Sequence, residues 1–113
     1  MRTERGAATV LVAAVIGVLL LLGAALGFVV GIVVTQRHAQ SAADLAALAA
    51  AEAVADGRDG CAAGATIARS NGGRLTSCEV AGTTVTVSVA VTGPRWQEWS
   101  VDLTAEARAG PAP

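Results

Sequence analysis

The twenty-eight residues from Ala7 to Val34 pass without one charged side chain. As a helix rising 1.5 Å per residue, the run is about 42 Å long, against a bilayer hydrocarbon core of roughly 30 Å. It is also too long for the apolar core of a cleaved secretory signal, which is about 7–15 residues. The run therefore predicts a transmembrane helix over residues 7–35, preceded by a leader of residues 1–6. Arg2 and Arg5 stand before it, and Arg37 is the one arginine in the first twenty residues beyond. Flanking positive charge favours the cytoplasmic side. The expectation is a single-pass protein of the cell membrane, with a cytoplasmic N-terminus and an exported C-terminal domain.

Past the run the chain has about 79 residues, a single small domain near the size at which one apolar core is marginal. Net charge is −1, and the eight basic residues, all arginine, are scattered. A nucleic-acid face needs them clustered, so none is expected. Phe28, Trp96 and Trp99 are the whole aromatic set, which leaves no platform for stacking bases or sugars. His38 is the sole histidine and sits at the predicted membrane surface, where it reads as an interfacial anchor. No metalloprotease helix, phosphate loop, nucleophile elbow or metal-ligand cluster is present. No catalytic, cofactor-binding or metal-binding residue is assigned, no small-molecule substrate is implied, and the protein is not expected to be an enzyme.

Beyond the membrane the pattern stays helical. Residues 36–56 are alanine-rich, with no Gly or Pro, and continue the first helix without a break. On a helical wheel Ala39, Ala42, Ala43, Ala46, Ala49, Ala50 and Ala53 share one side. Arg37, Ser41, Asp44 and Glu52, with Leu45 and Leu48, share the other. Gly57 is placed to cap this helix, and Asp59 to cap a second, short one from about Gly60 to Ser70. That helix is expected to turn Ala63, Ile67 and Thr66 inward. Asn71-Gly72-Gly73 stops it.

The period then changes to two. Val85, Val87, Val89 and Val91 alternate with Thr84, Thr86, Ser88 and Ala90, a half-buried strand. Leu75–Val80 is a shorter strand before it, joined by a turn at Ala81-Gly82, and Ser100–Ala109 is a third after a break at Gly93-Pro94. The tail 110–113 cannot extend a strand. Trp96 and Trp99 flank the break and either fold back on the sheet or form an exposed or membrane-touching patch. The fold class is α+β: a long N-terminal helix, a short second helix, and a three-stranded antiparallel sheet whose apolar face needs the helices as cover. The exported domain spans residues 57–109.

Two constellations remain. Cys61 and Cys78 are an even pair in an exported small domain, which reads as one disulfide; two buried free thiols are the alternative. Gly23, Gly27 and Gly31 recur every four residues in the membrane run. They mark either a close-packing helix face or the general abundance of glycine in membrane helices.

A long helix that leaves the membrane to end against an antiparallel sheet resembles the type IV pilin plan. Arg5-Gly6-Ala7-Ala8-Thr9-Val10 ahead of the apolar run looks like the start of TadE/TadG-like pilus-assembly proteins. The stretch from Arg37 through Gln40, Ala43, Asp44 and Leu48 is similar to the one such proteins carry just past the membrane helix. With its small cysteine-bearing domain, the chain looks like the TadE-like proteins of actinobacterial secretion loci. The resemblance implies a structural or accessory subunit of a Tad/Flp-type pilus or related secretion apparatus. Its partners would be the membrane and other subunits, or further copies of itself, met through helix packing. It also implies a processing site between Gly6 and Ala7. The glutamate expected five residues after that glycine is Leu11 here, which cannot pair with a neighbour's new N-terminus; TadG-like members lack that glutamate too. The competing reading is a stand-alone, signal-anchored binding protein outside any filament.

Overall fold

A computed structural model of the chain describes residues 2–96 and 99–111. The helix α1 runs unbroken from Arg2 to Ala55, followed by α2 (Gly60–Ser70) and strands β1 (Arg74–Ala81), β2 (Thr84–Trp96) and β3 (Trp99–Ala109). The strands form one antiparallel sheet in the order β1-β2-β3. This is the expected α+β architecture. The chain divides into two compact units, Met1–Gly31 and Ile32–Pro113.

The first unit is helix alone. Its large apolar side chains, from Val10 to Val30, all stand exposed, and α1 is long and apolar enough to cross a membrane.

The second unit carries the core. Ala39, Ala42, Ala43, Ala46, Ala47 and Ala50 of α1 pack in one cluster with Val85, Val87, Val89 and Val91 of β2 and Ala105 and Ala107 of β3. The division of labour is physical. Alanine favours the helix and keeps the helix backbone close to the sheet, while the β-branched valines favour the strand and fill the space between. Fully burying each valine contributes about 1.5–3 kcal/mol. The alanine face differs from the wheel at two positions: Ala47 is buried and Ala49 only half-buried. Leu45 and Leu48 remain on the exposed face with Asp44 and Glu52.

Both helices end in the same device. Arg58 N donates to Ala53 O and Gly57 N to Val54 O, with Gly57 at φ +75°. Gly73 N donates to Ala68 O and Gly72 N to Arg69 O, with Gly72 at φ +76°. Each is a Schellman closure, in which a left-handed glycine lets the last carbonyls be satisfied. Asp59 caps α2 as expected, its Oδ1 accepting from Ala62 N at 3.1 Å.

The inward face of α2 is not the expected one. Gly60, Gly64 and Ala68 are buried, Ala63 and Ile67 are half-buried, and Thr66 is exposed with its hydroxyl donating to Ala62 O. The reason is distance. A Cβ on Gly60 would lie 2.8 Å from Ala50 O, and one on Gly64 would lie 3.3 Å from Ala46 O. The α2 backbone rests directly on α1, and only the smallest residues fit between.

Two features of the sheet also differ from expectation. Ala81 pairs with Thr84, so the β1–β2 turn is Gly82-Thr83 rather than Ala81-Gly82, with Gly82 at φ +64°. Gly93-Pro94 does not end β2 but lies in an irregularity between Thr92 and Arg95, after which pairing with β3 resumes. Since β1 reaches only as far as Ala90 on its neighbour, β2 has a free side there. A proline that donates no hydrogen bond is tolerated in that position. Within the tail, residues 112 and 113 lie outside the described residues.

Candidate functional site

Two glutamines of α1, Gln40 among the residues singled out at 37–48 and Gln36 just before them, meet the sheet in a regular way. Gln36 Nε2 donates to Thr104 O at 3.4 Å, and Gln40 Nε2 donates to Glu106 O at 3.3 Å. One helical turn and a bit, from 36 to 40, advances about 6 Å; two strand residues, from 104 to 106, advance about 6.6 Å. The two periods match, so α1 and β3 run side by side in the same direction over this stretch. Thr104 and Glu106 have the same parity, so both carbonyls project from the same side of the strand. β3 is an edge strand, and these amides occupy acceptors that would otherwise invite a foreign strand.

Gln40 also donates to Asp44 Oδ1 at 3.1 Å. Asp44 is thus tied to Gln40 and not to Arg37, which is exposed. Ala43 is fully buried against the sheet. Leu48 is exposed and lines a shallow groove with Glu52, Thr83, Ala109 and Pro111. His38 has a structural contact that its reading as a membrane-surface anchor did not include: its Nε2 lies 2.6 Å from Asn71 O. A carbonyl only accepts, so Nε2 carries the proton and donates. The α2–β1 turn is pinned to α1 by that bond.

Cys61 and Cys78 form a disulfide with Cα atoms 5.9 Å apart, joining the first turn of α2 to the middle of β1. The free-thiol alternative is thereby set aside. The bond and the glycine face hold α2 from two sides, by β1 and by α1.

The remaining singled-out residues lie on bare helix. Gly6 and Ala7 are exposed within α1. A Cβ added at Gly23 or Gly27 would meet nothing within 4 Å, and Gly31 is half-buried. Trp99 is 81% exposed, so it does not fold back on the sheet; the side chain of Trp96 lies outside the described residues. Among the described residues no group of three or more His, Cys, Asp or Glu side chains is arranged to hold a metal ion.

Sequence reasoning found Gln40 and Asp44 but missed Gln36 and the glycine face of α2. The four-residue spacing of Gln36 and Gln40 was the available signal for the first, and the Gly60/Gly64/Ala68 spacing for the second.

Compared with known proteins, residues 6–55 match the family model of putative Flp pilus-assembly TadE/G-like proteins. The match covers the apolar run and the glutamine-bearing stretch beyond it. No curated protein and no solved structure matches the chain.

Proposed function

We propose that this chain, TadE/G-like over residues 6–55, is a membrane-anchored accessory subunit of a Tad/Flp-type pilus or a related secretion apparatus. The family is one of pilus assembly and not of catalysis. The observation that carries the reading is the match itself, because it falls on the apolar helix and its continuation. Residues 7–35 span the bilayer, the leader 1–6 stays in the cytoplasm, and residues 36–109 form the exported part. The exported domain offers a partner surface, and α1 meets other subunits, or other copies of itself, through Gly23, Gly27 and Gly31. Small residues at such spacing let two membrane helices approach closely.

The open space at Gly27 makes a clean experiment possible. A Cβ at Gly27 would meet nothing within 4 Å, and the large apolar side chains around it are exposed, so Gly27→Leu has room to leave the fold unchanged. Co-purification of the variant with other subunits of the apparatus, or with a second tagged copy of the chain, should be lost. Normal co-purification would refute packing through this face and favour the stand-alone anchored protein. Intact mass from native membranes adds the state of the leader. A chain starting at Ala7 means that a peptidase accepts Leu11, and one starting at Met1 or Arg2 means a permanent anchor.

A further inference from the structure

We propose that Asn71-Gly72 is a self-modification site. The fold holds Asn71 as an unreactive amide, and opening of the last turn of α2 lets it convert to aspartate or isoaspartate, after which that turn no longer closes on α1 as before. The inference lies wholly within the second unit and does not rest on the membrane reading.

The first observation is chemical. Asn71 is the sole asparagine of the chain, and a glycine follows it. With no side chain at Gly72 to stand in the way, the Gly72 nitrogen can attack Asn71 Cγ, losing its proton to solvent as the N–C bond forms. The Cγ–Nδ2 bond then breaks, ammonia leaves with a proton taken from water, and a cyclic imide remains. Water opens that ring at either carbonyl. Breaking the bond to Cγ leaves aspartate; breaking the bond to the main-chain carbonyl carbon leaves isoaspartate. The sum exchanges one ammonia for one water, with nothing oxidised or reduced. The glycine is there for the cap, which needs φ +76° at that residue, so the closure of α2 itself leaves the neighbouring asparagine open to attack.

The second observation is how the fold prevents this. Gly72 N donates to Arg69 O at 3.1 Å, and Asn71 Nδ2 donates to Ile67 O at 2.9 Å. Nucleophile and leaving group are thus held on separate carbonyls. The Asn71 ψ of 21° also turns the Gly72 nitrogen away from Asn71 Cβ, whereas ring closure needs the two nearly eclipsed. Both hydrogen bonds must break and ψ must rotate before the nitrogen reaches Cγ. At the usual net worth of a hydrogen bond, breaking two makes the reactive state rarer by about 5- to 150-fold.

The third observation is what Asn71 holds together. Its carbonyl accepts from His38 Nε2 at 2.6 Å, the bond that ties this end of α2 to α1, and Gly73 N reaches back to Ala68 O at 2.8 Å. A carboxylate side chain at residue 71 has no donor for Ile67 O and sets acceptor against acceptor at a part-buried position. Isoaspartate goes further, because it routes the main chain through Cβ and Cγ and lengthens it by one carbon. The N–H groups of Gly72 and Gly73 then fall out of register with Arg69 O and Ala68 O. The carbonyl that His38 held becomes a side carboxylate, off the chain that forms the turn. Neither product returns to asparagine in water.

The test incubates the full chain in detergent, its disulfide intact, beside a synthetic peptide of residues 68–75, both at neutral pH in heavy-oxygen water. Peptide fragmentation reads the exchange of ammonia for labelled water at residue 71. The peptide should convert, and the folded chain should convert at least about fivefold more slowly. His38→Ala, which removes an exposed side chain and its bond to Asn71, should speed conversion in the full chain about 2- to 12-fold. Converted chain, separated by its added negative charge, should exchange the amides of residues 67–70 faster than unconverted chain. A peptide that stays unconverted overturns the site, and a smaller difference between peptide and folded chain overturns its protection by the fold. Equal exchange in converted and unconverted chain overturns the loss of the closure. A His38→Ala chain that converts no faster than the wild type removes His38 from the argument; should that variant unfold, the wild-type comparisons still decide.

Discussion

Gly60 and Gly64 sit on the same face of α2 and press on the same helix, yet the same substitution should act on them in opposite ways. Gly60→Ala puts a methyl 2.5 Å from Val54 Cγ2 and 2.8 Å from Ala50 O. The valine can rotate, but the carbonyl belongs to the α1 backbone and cannot yield without moving the helix. Overpacking of this kind costs about 1–3 kcal/mol. Alanine's better helix propensity offsets little of that at the first residue of the helix. Gly64→Ala puts its methyl 3.3 Å from Ala46 O and 3.5 Å from Ala50 Cβ, a distance that a shift of a few tenths of an ångström relieves. Here, in the middle of the helix, alanine gains close to 1 kcal/mol over glycine. The net effect should lie within about 0.5 kcal/mol of zero or be stabilising. Hydrogen exchange of the α2 amides from residue 65 to Asn71, in the full chain with its disulfide intact, reads both variants. Gly60→Ala should speed exchange about 5- to 150-fold, taking 1.4 kcal/mol per factor of ten, while Gly64→Ala should leave it unchanged or slower. Equal exchange in the two variants, or the reverse order, would refute the argument that backbone contact sets this interface.

Three further outcomes are expected. Replacing both Cys61 and Cys78 with Ser should lower stability to denaturant by about 3 kcal/mol, as closing a loop of this length implies, and the wild-type chain should gain two hydrogens in mass on reduction; an unchanged midpoint would mean that the glycine face alone holds α2. Gln40→Ala should cost about 1 kcal/mol, and Gln40→Glu more at neutral pH, because a carboxylate there faces both Glu106 O and Asp44; protonation near pH 4 should narrow that gap, and equal thermal midpoints for the two variants at neutral pH would dismiss the side-chain link to β3. Val87→Ala, which empties a fully buried site, should cost about 2–3 kcal/mol in chemical unfolding, and a loss under about 1 kcal/mol would mean that the helix and sheet close over the gap.

The parts of the fold legible in the sequence are those written in hydrophobic period. The four valines of β2 alternate, and a strand with one apolar face is implied by that alone. The alanine side of α1 was legible for the same reason, apart from the exchange of Ala47 for Ala49. The glycine face of α2 was not, because glycine has no side chain for a hydrophobic pattern to register; its meaning lies in an approach of two backbones that exists only after folding. The Gly93-Pro94 break misled because a local rule about proline holds for a central strand, and β2 is no longer central once β1 has ended. Gln36 and Gln40 could be seen as spaced by one turn, but their partners depend on the register of β3, with Glu106 lying 66 residues beyond Gln40. Of the candidate site, the helix half could be read and the strand half could not.

The alignment of Gln40 with Glu106 has a consequence for how the protein is made. Synthesis runs from α1 to β3, so the alanine half of the core exists long before the strands that cover it. The disulfide joins residues 17 apart and can close as soon as β1 has appeared. The sheet cannot: β3 pairs from Trp96↔Trp99 to Val85↔Ala109, and the glutamines find their acceptors only when that last strand arrives. Until then the nascent domain is a long helix with a tethered hairpin, its alanines and valines open to any chaperone or neighbouring chain that offers a strand in place of its own.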